Sequence, residues 1–169
     1  MGKGLIRSGN RRGVRGDKSP AVARKTPRPR EPAICRRCGS VFARRTWRAD
    51  RALTHDLLSR ASWTVCPACT EVGRAEGQGR VVISGGYAAA HEDAIRRRIR
   101  NVAARARFTQ PQRRLVSAER SGAVLEVLTT SQKLAHRIVH ELRKAFRGRA
   151  RYAWSAADGS LLATWERKS

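Results

Sequence analysis

Acidic residues are in short supply in this chain: 13 Asp and Glu face 37 Lys and Arg, a formal net charge of +24 over 169 residues. A compact domain with no polyanion to meet gains nothing from that imbalance, because self-repulsion opposes folding. The deficit matches the electrostatic footprint of a nucleic-acid binder. Aromatic residues are also few, at 5%, so only a modest core is expected. No apolar run approaches the roughly 18–20 residues that cross a bilayer as a helix. The opening Met1-Gly-Lys-Gly-Leu-Ile-Arg7 has no apolar stretch of signal-peptide length, and a cytoplasmic protein is expected. Catalytic signatures are missing as well. There is no Gly-Lys-Ser/Thr phosphate loop, no G-x-S-x-G elbow and no H-E-x-x-H helix. His91-Glu92-Asp93 reads as the first turn of a helix, and His136 with His140 as a surface pair lacking a third ligand. The chain is expected not to be an enzyme.

Cysteine is confined to four positions, and these form two identical pairs, Cys35/Cys38 in Cys-Arg-Arg-Cys-Gly and Cys66/Cys69 in Cys-Pro-Ala-Cys. A C-x2-C turn presents two thiolates on one tight knuckle, and the glycine after Cys38 suits the left-handed residue such a knuckle needs. Two knuckles supply the tetrahedral sulfur set that Zn2+ prefers. With no export signal, the pairs read as metal ligands rather than disulfides. One structural Zn2+ is expected, coordinatively closed and so without an open position for a substrate water.

The basic residues are mainly Arg, 31 against 6 Lys. The planar guanidinium binds phosphate bidentately and stacks on bases. GC-rich codon usage accounts for Arg in place of Lys, but not for the lack of acids. Residues 1–34 hold ten basic and two acidic residues with no apolar periodicity. This reads as a disordered basic arm that meets a polyanion through Arg7, Arg11, Arg12, Arg15, Arg24, Lys25, Arg28 and Arg30. Residues 35–79 read as a zinc ribbon, with Arg36, Arg37, Arg44, Arg45 and Arg48 as further phosphate contacts. Within it, Asp50–Ala61 reads as a short helix. Trp63 is expected to pack against the knuckles, with Trp47 evenly placed between packing and base stacking. His55 reads as a surface or packing residue.

Residues 80–169 read as a two-layer α/β domain. Arg80–Ser84 is a short strand, and Ala88–Phe108 carries Ile95, Ile99, Val102 and Ala106 at helical spacing. Its Arg96, Arg97, Arg98 and Arg100 make a dense basic face expected to meet phosphate. Arg114–Arg120 and Val124–Thr129 form a hairpin about Ser121-Gly122. A helix from Thr130 or Ser131 to about Arg147 buries Leu134, Ile138, Leu142 and Phe146, leaving Arg143 and Lys144 outside. Arg149–Ala156 and Ser160–Glu166 close a second hairpin at Asp158-Gly159, a type I′ signal. The order β-α-β-β-α-β-β matches the ferredoxin-like plan with one added antiparallel strand. The class is therefore α+β with an antiparallel sheet. An alternative leaves Val81–Ser84 as the last strand of the zinc ribbon.

Several of these segments together resemble a known group. Pro32-Ala-Ile-Cys35-x-x-Cys38-Gly39, then Cys66-Pro-x-Cys69, then Ser84-Gly-Gly-Tyr87 with the helix start His91-Glu-Asp-x-Ile95, is similar to small bacterial four-cysteine proteins. Glu126-Val-Leu-Thr-Thr-Ser-x-x-Leu-Ala-x-x-Ile138 fits the same group. Those proteins are in turn similar to the N-terminal zinc-binding region of the large-subunit export adaptor, the nonsense-mediated-decay protein three family. The likeness spans roughly residues 30–167. It implies a zinc-binding, ribosome-associated factor of the large subunit. The chain departs from the group in its charge and its long Arg-rich arm, and an export role does not carry over. The expectation is thus a protein that binds ribosomal RNA in assembly, hibernation or translation. The alternative is a DNA-binding zinc-ribbon regulator.

Overall fold

Two short-stranded sheets and five helices follow one another from Ala33 to Glu166 in a computed structural model that describes residues 28–169. The first sheet joins β1 (Ala33–Cys35), β2 (Val41–Ala43), β3 (Thr46–Arg48) and β4 (Ser62–Thr64) in the order β3-β2-β1-β4. β1 pairs antiparallel with β2 and parallel with β4. The boundary expected at residue 34 thus falls inside β1, and most of the expected basic arm, residues 1–27, lies outside the described residues. Ala33 and Ile34 are fully buried in β1, because they are the apolar residues that seat the first cysteine.

Helix α1 (His55–Arg60) starts later than Asp50, since Thr54 caps it by accepting a hydrogen bond from the Leu57 amide. It buries none of its residues, and Leu53 and Leu58 stay exposed. Helix α2 (Pro67–Gly73) begins with proline in its first turn, where the missing N–H costs nothing.

The second sheet holds β5 (Gly79–Ser84), β6 (Leu115–Ser121), β7 (Val124–Thr129), β8 (Arg149–Trp154) and β9 (Leu161–Glu166) in the order β6-β7-β5-β9-β8. β5 belongs here and not to the cysteine-bearing sheet. Its first half follows the split β-α-β plan, with β5 antiparallel to β7 and β7 antiparallel to β6. Its second half does not. β9 inserts between β5 and β8 and runs parallel to β5, so the sheet is mixed rather than antiparallel. The reason lies in the two strands. Leu161, Ala163 and Trp165 of β9 are buried, whereas β8 carries Arg149 and Arg151. The apolar strand takes the interior position and the basic one the edge. The β8–β9 connection is also longer than a two-residue type I′ turn. Trp154 pairs with Leu161, and the loop between them is closed by the Ser155 amide to Ser160 O at 2.9 Å and the Gly159 amide to Ser155 O at 3.0 Å.

Helices α4 (Glu92–Thr109) and α5 (Gln132–Phe146) cover one face of this sheet. Ile95, Ile99 and Val102 of α4 meet Leu134, Ile138 and Leu142 of α5 over Val81, Ile83, Val127 and Trp165. A short helix, α3 (Gly86–Ala90), precedes α4 and is broken from it at His91. The Ser84-Gly85-Gly86-Tyr87 segment is structural. Gly85 has φ 102° and ψ 163°, a region open to glycine alone. A Cβ at Gly85 or Gly86 would collide with the carbonyl oxygens of Arg167 or Lys168. The chain after β9 thus packs directly onto this corner. Arg167 lies over the Tyr87 ring, with Cζ 3.7 Å from its centroid, and donates to Phe146 O at 2.7 Å. A Gly85→Ala protein should melt at least about 5–10 °C lower than the parent by circular dichroism. An unchanged transition would mean that the corner is not held this way.

Candidate metal centre and basic surfaces

The four cysteines arrive from two knuckles. In the first, the Gly39 amide donates to Cys35 O at 2.9 Å and the Cys35 amide to Ser40 O at 2.9 Å, with Gly39 at φ 71°. In the second, Cys66 caps α2 and Cys69 lies one turn on, which brings both sulfurs to the same side. All four sulfurs lie within 4.8 Å of one another and none is in a disulfide. Cys38 Sγ and Cys66 Sγ are 3.7 Å apart. That is close to the edge of about 3.8 Å of a tetrahedron with metal–sulfur bonds of about 2.3 Å, and far beyond a disulfide bond of about 2.05 Å. The cluster has the geometry of a metal site.

Its electrostatics ask for a cation. Burial pushes the Cys38 thiol up, but hydrogen bonds outweigh it, chiefly with the Ser40 hydroxyl 3.2 Å away and the Ser40 backbone, and bring it down to about 6. Burial pushes Cys66 and Cys69 up, and the charge of Cys38 and Cys35 adds to it. The Cys38 thiolate forms readily while Cys66 and Cys69 are held protonated, a conflict that a bound cation removes. The Cys66 amide donates to Cys35 Sγ at 3.3 Å. Arg114 Nη2 donates to Cys69 Sγ at 3.6 Å, while its Nε holds Pro111 O at 2.7 Å. The metal centre is thus tied to the start of β6. Sequence spacing does not reveal Arg114, which lies 45 positions from Cys69. Ser40, directly after the Cys-Gly of the first knuckle, was the more legible partner.

The packing role expected of Trp63 falls to Trp47, for which the sequence leaves packing and base stacking even. Trp47 packs beside the cysteines, with its ring 5.3 Å from that of Phe42, whereas Trp63 on β4 is 51% exposed. His136 stacks on Tyr152 at 4.6 Å. His91, the break between α3 and α4, lies 4.2 Å from Tyr87.

The basic candidates divide by what they touch. Arg7, Arg11, Arg12, Arg15, Arg24 and Lys25 lie outside the described residues. Arg36 donates to Trp63 O and Arg37 to Cys69 O, each at 3.3 Å, and both side chains brace the knuckles. Arg44, Arg45 and Arg48 are exposed on the β2–β3 hairpin, and Arg30 is exposed just before β1. The four-arginine face of α4 is split. Arg96 bonds Glu92 at 2.7 Å, and Arg98 bonds Glu141 of α5 at 2.6 Å. Arg120 also pairs with Glu92, and hydrogen bonding from Arg96, aided by Arg120, holds the Glu92 carboxyl below its ordinary range. Arg96 and Arg98 therefore pin α4 to β6 and α5. Arg97 and Arg100 remain exposed, as do Arg143 and Lys144 at the end of α5. None of these four forms an ion pair among the described residues.

The open face of the five-stranded sheet carries Val82, Leu128, Leu162 and the Arg80–Glu126 pair, with no aromatic residue among those described. Sheets that stack RNA bases present aromatic side chains there, so base contact by that route has no platform here. No helix among the described residues is long and apolar enough to cross a membrane. No protein family, curated protein or solved structure matches the chain.

Proposed function

We propose that this is a zinc protein that binds ribosomal RNA, associating with the ribosome through its large subunit in assembly, hibernation or translation. One observation carries the reading: a net charge of +24, with exposed basic residues such as Arg44, Arg45, Arg48, Arg97, Arg100, Arg143 and Lys144 that have no carboxylate partner among the described residues. Such groups contact phosphate, and each phosphate neutralised releases condensed counterions. Four cysteine sulfurs within 4.8 Å of one another favour Zn2+ over harder ions. The Zn2+ would be held by Cys35, Cys38, Cys66 and Cys69 and would supply folding energy rather than chemistry. Arg114 would offset part of the negative charge of the four thiolates. The exposed guanidiniums of α4 and α5 carry little base specificity and suit a shape-defined RNA.

Sucrose-gradient sedimentation of lysate at low and high salt tests the reading. The expected result is sedimentation with the large subunit or whole ribosome at low salt, lost at high salt. A protein that stays at the top of the gradient, or that moves with DNA and is released by DNase, refutes it and leaves a DNA-binding regulator as the better account.

A further inference from the structure

The β2–β3 turn is made of residues that its shape disfavours. Ala43 pairs with Thr46, so Arg44 and Arg45 are the two loop residues, at φ 51° and 61°. Two consecutive positive φ values are those of a type I′ turn, for which Asn-Gly is the favoured pair. A side chain with a Cβ is strained in that region. The strain is held by one carboxylate: Glu31 accepts from the Arg44 amide at 2.9 Å and from the Arg45 amide at 2.7 Å. Glu31 is thereby spent on the backbone, and neither guanidinium pairs with an acid among the described residues. Strain retained where glycine would relieve it points to a use for the side chains.

Beside the turn lies a cleft of about 400 Å³, within the size range of small-ligand sites. Phe42, Trp47, Val65 and Pro67 give it an apolar and aromatic wall, Arg28 and Arg45 give it positive charge, and its lining contains no acid. The Trp47 ring is half-buried and tilted 48° to Phe42, so it is both anchored and accessible. A fixed π surface beside two guanidiniums is the chemistry that takes a base and its phosphate.

We propose that this cleft binds one unstacked nucleotide of a single-stranded RNA segment, with the base on Trp47 and the phosphate at Arg28 and Arg45. The inference rests on the RNA-binding reading above and adds a built subsite to it. It also assigns the strained turn a function: the cleft uses the Arg45 side chain that an Asn-Gly turn would lack.

The test uses the full-length, zinc-loaded protein and two labelled probes, a single-stranded RNA of about ten nucleotides and an RNA hairpin duplex of equal phosphate count. The double variant Arg44→Asn, Arg45→Gly relieves the turn and removes its charge. It should melt at the same or a higher temperature, yet bind the single strand about ten-fold more weakly, with a markedly smaller loss on the duplex. Trp47→Leu retains apolar bulk and should show the same preferential loss on the single strand. Equal losses on the two probes, or none, would overturn the cleft while leaving RNA binding intact. Failure of the parent protein to bind either probe would overturn the RNA reading itself, and the subsite with it. If Trp47→Leu does not fold, the turn variant alone decides.

Discussion

Replacing Cys35 by Ser is expected to unfold residues 33–73 while the five-stranded body stays folded. The cysteine-bearing sheet is made of strands of three residues each. Apart from the cysteines, its buried apolar side chains are Ala33, Ile34, Val41, Phe42 and Ala68. That surface is too small to offset the conformational entropy of some forty residues. Structural zinc contributes about 10–16 kcal/mol of apparent binding energy in small metal domains, so on the zinc proposal above, losing one ligand would remove the main term holding this sheet. Cys35 is also the sulfur that receives the Cys66 amide, and the substitution disturbs both knuckles at once. The body has its own core, which includes Ile95, Ile99, Leu134, Ile138 and Trp165. Arg114 Nε also donates to Pro111 O at 2.7 Å, a bond that does not involve the cysteine-bearing sheet. Metal content by atomic spectrometry should fall from stoichiometric to a small fraction, and the near-ultraviolet signal of Trp47 should collapse. A cooperative thermal transition of the body should remain. A Cys35→Ser protein that kept stoichiometric zinc and the parent spectrum would show that the four-cysteine assignment is wrong.

The second large effect is placed at Trp165. Its side chain is 0% exposed, in β9 between β5 and β8. Its indole N–H donates to Arg147 O at 2.8 Å, and its ring meets Tyr87 edge-on at 6.4 Å. Trp165→Ala removes the largest fully buried side chain, a change that costs about 3–5 kcal/mol. Set against a typical total of 5–15 kcal/mol, the body becomes marginal. Its melting temperature should fall by roughly 15–30 °C. Trp165→Phe keeps a ring but drops the bond to Arg147, and should lose less. An alanine variant melting within a few degrees of the parent would mean that β9 is not a packed interior strand. Metal content should be unaffected in either variant, because the cysteine-bearing sheet does not use this residue.

The two experiments separate what holds each half of the molecule, and they track how legible each half was in the sequence. The metal site was readable because its chemistry is local. Two Cys-x2-Cys turns each fix a pair of sulfurs within four residues, and the absence of a fifth cysteine leaves one pairing of knuckles. Helix α5 was readable because Leu134, Ile138 and Leu142 repeat at helical spacing and are all buried. The Ser121-Gly122 hairpin followed from alternation on its two sides. The periodicity of α4 was readable, with Ile95, Ile99, Val102 and Ala106 all buried, but the partner of Arg98 is Glu141, 43 positions away, and no i±4 rule reaches it. The Arg44-Arg45 turn contradicts local preference, and only Glu31, 13 and 14 positions earlier, makes it stable.

By itself, then, the sequence determined the excess positive charge, the four cysteines of the candidate metal site, and the type and approximate order of the elements after Gly79. Each depends on composition or on spacing within a few residues. The tertiary structure decided the insertion of β9 between β5 and β8, the packing of half-buried Trp47 rather than Trp63 beside the cysteines, and the link from Arg114 to Cys69. It also decided which arginines serve the fold and which face outward. These outcomes are set by competition among distant groups for a limited number of buried positions and carboxylates, and short-range pattern carries no record of that competition.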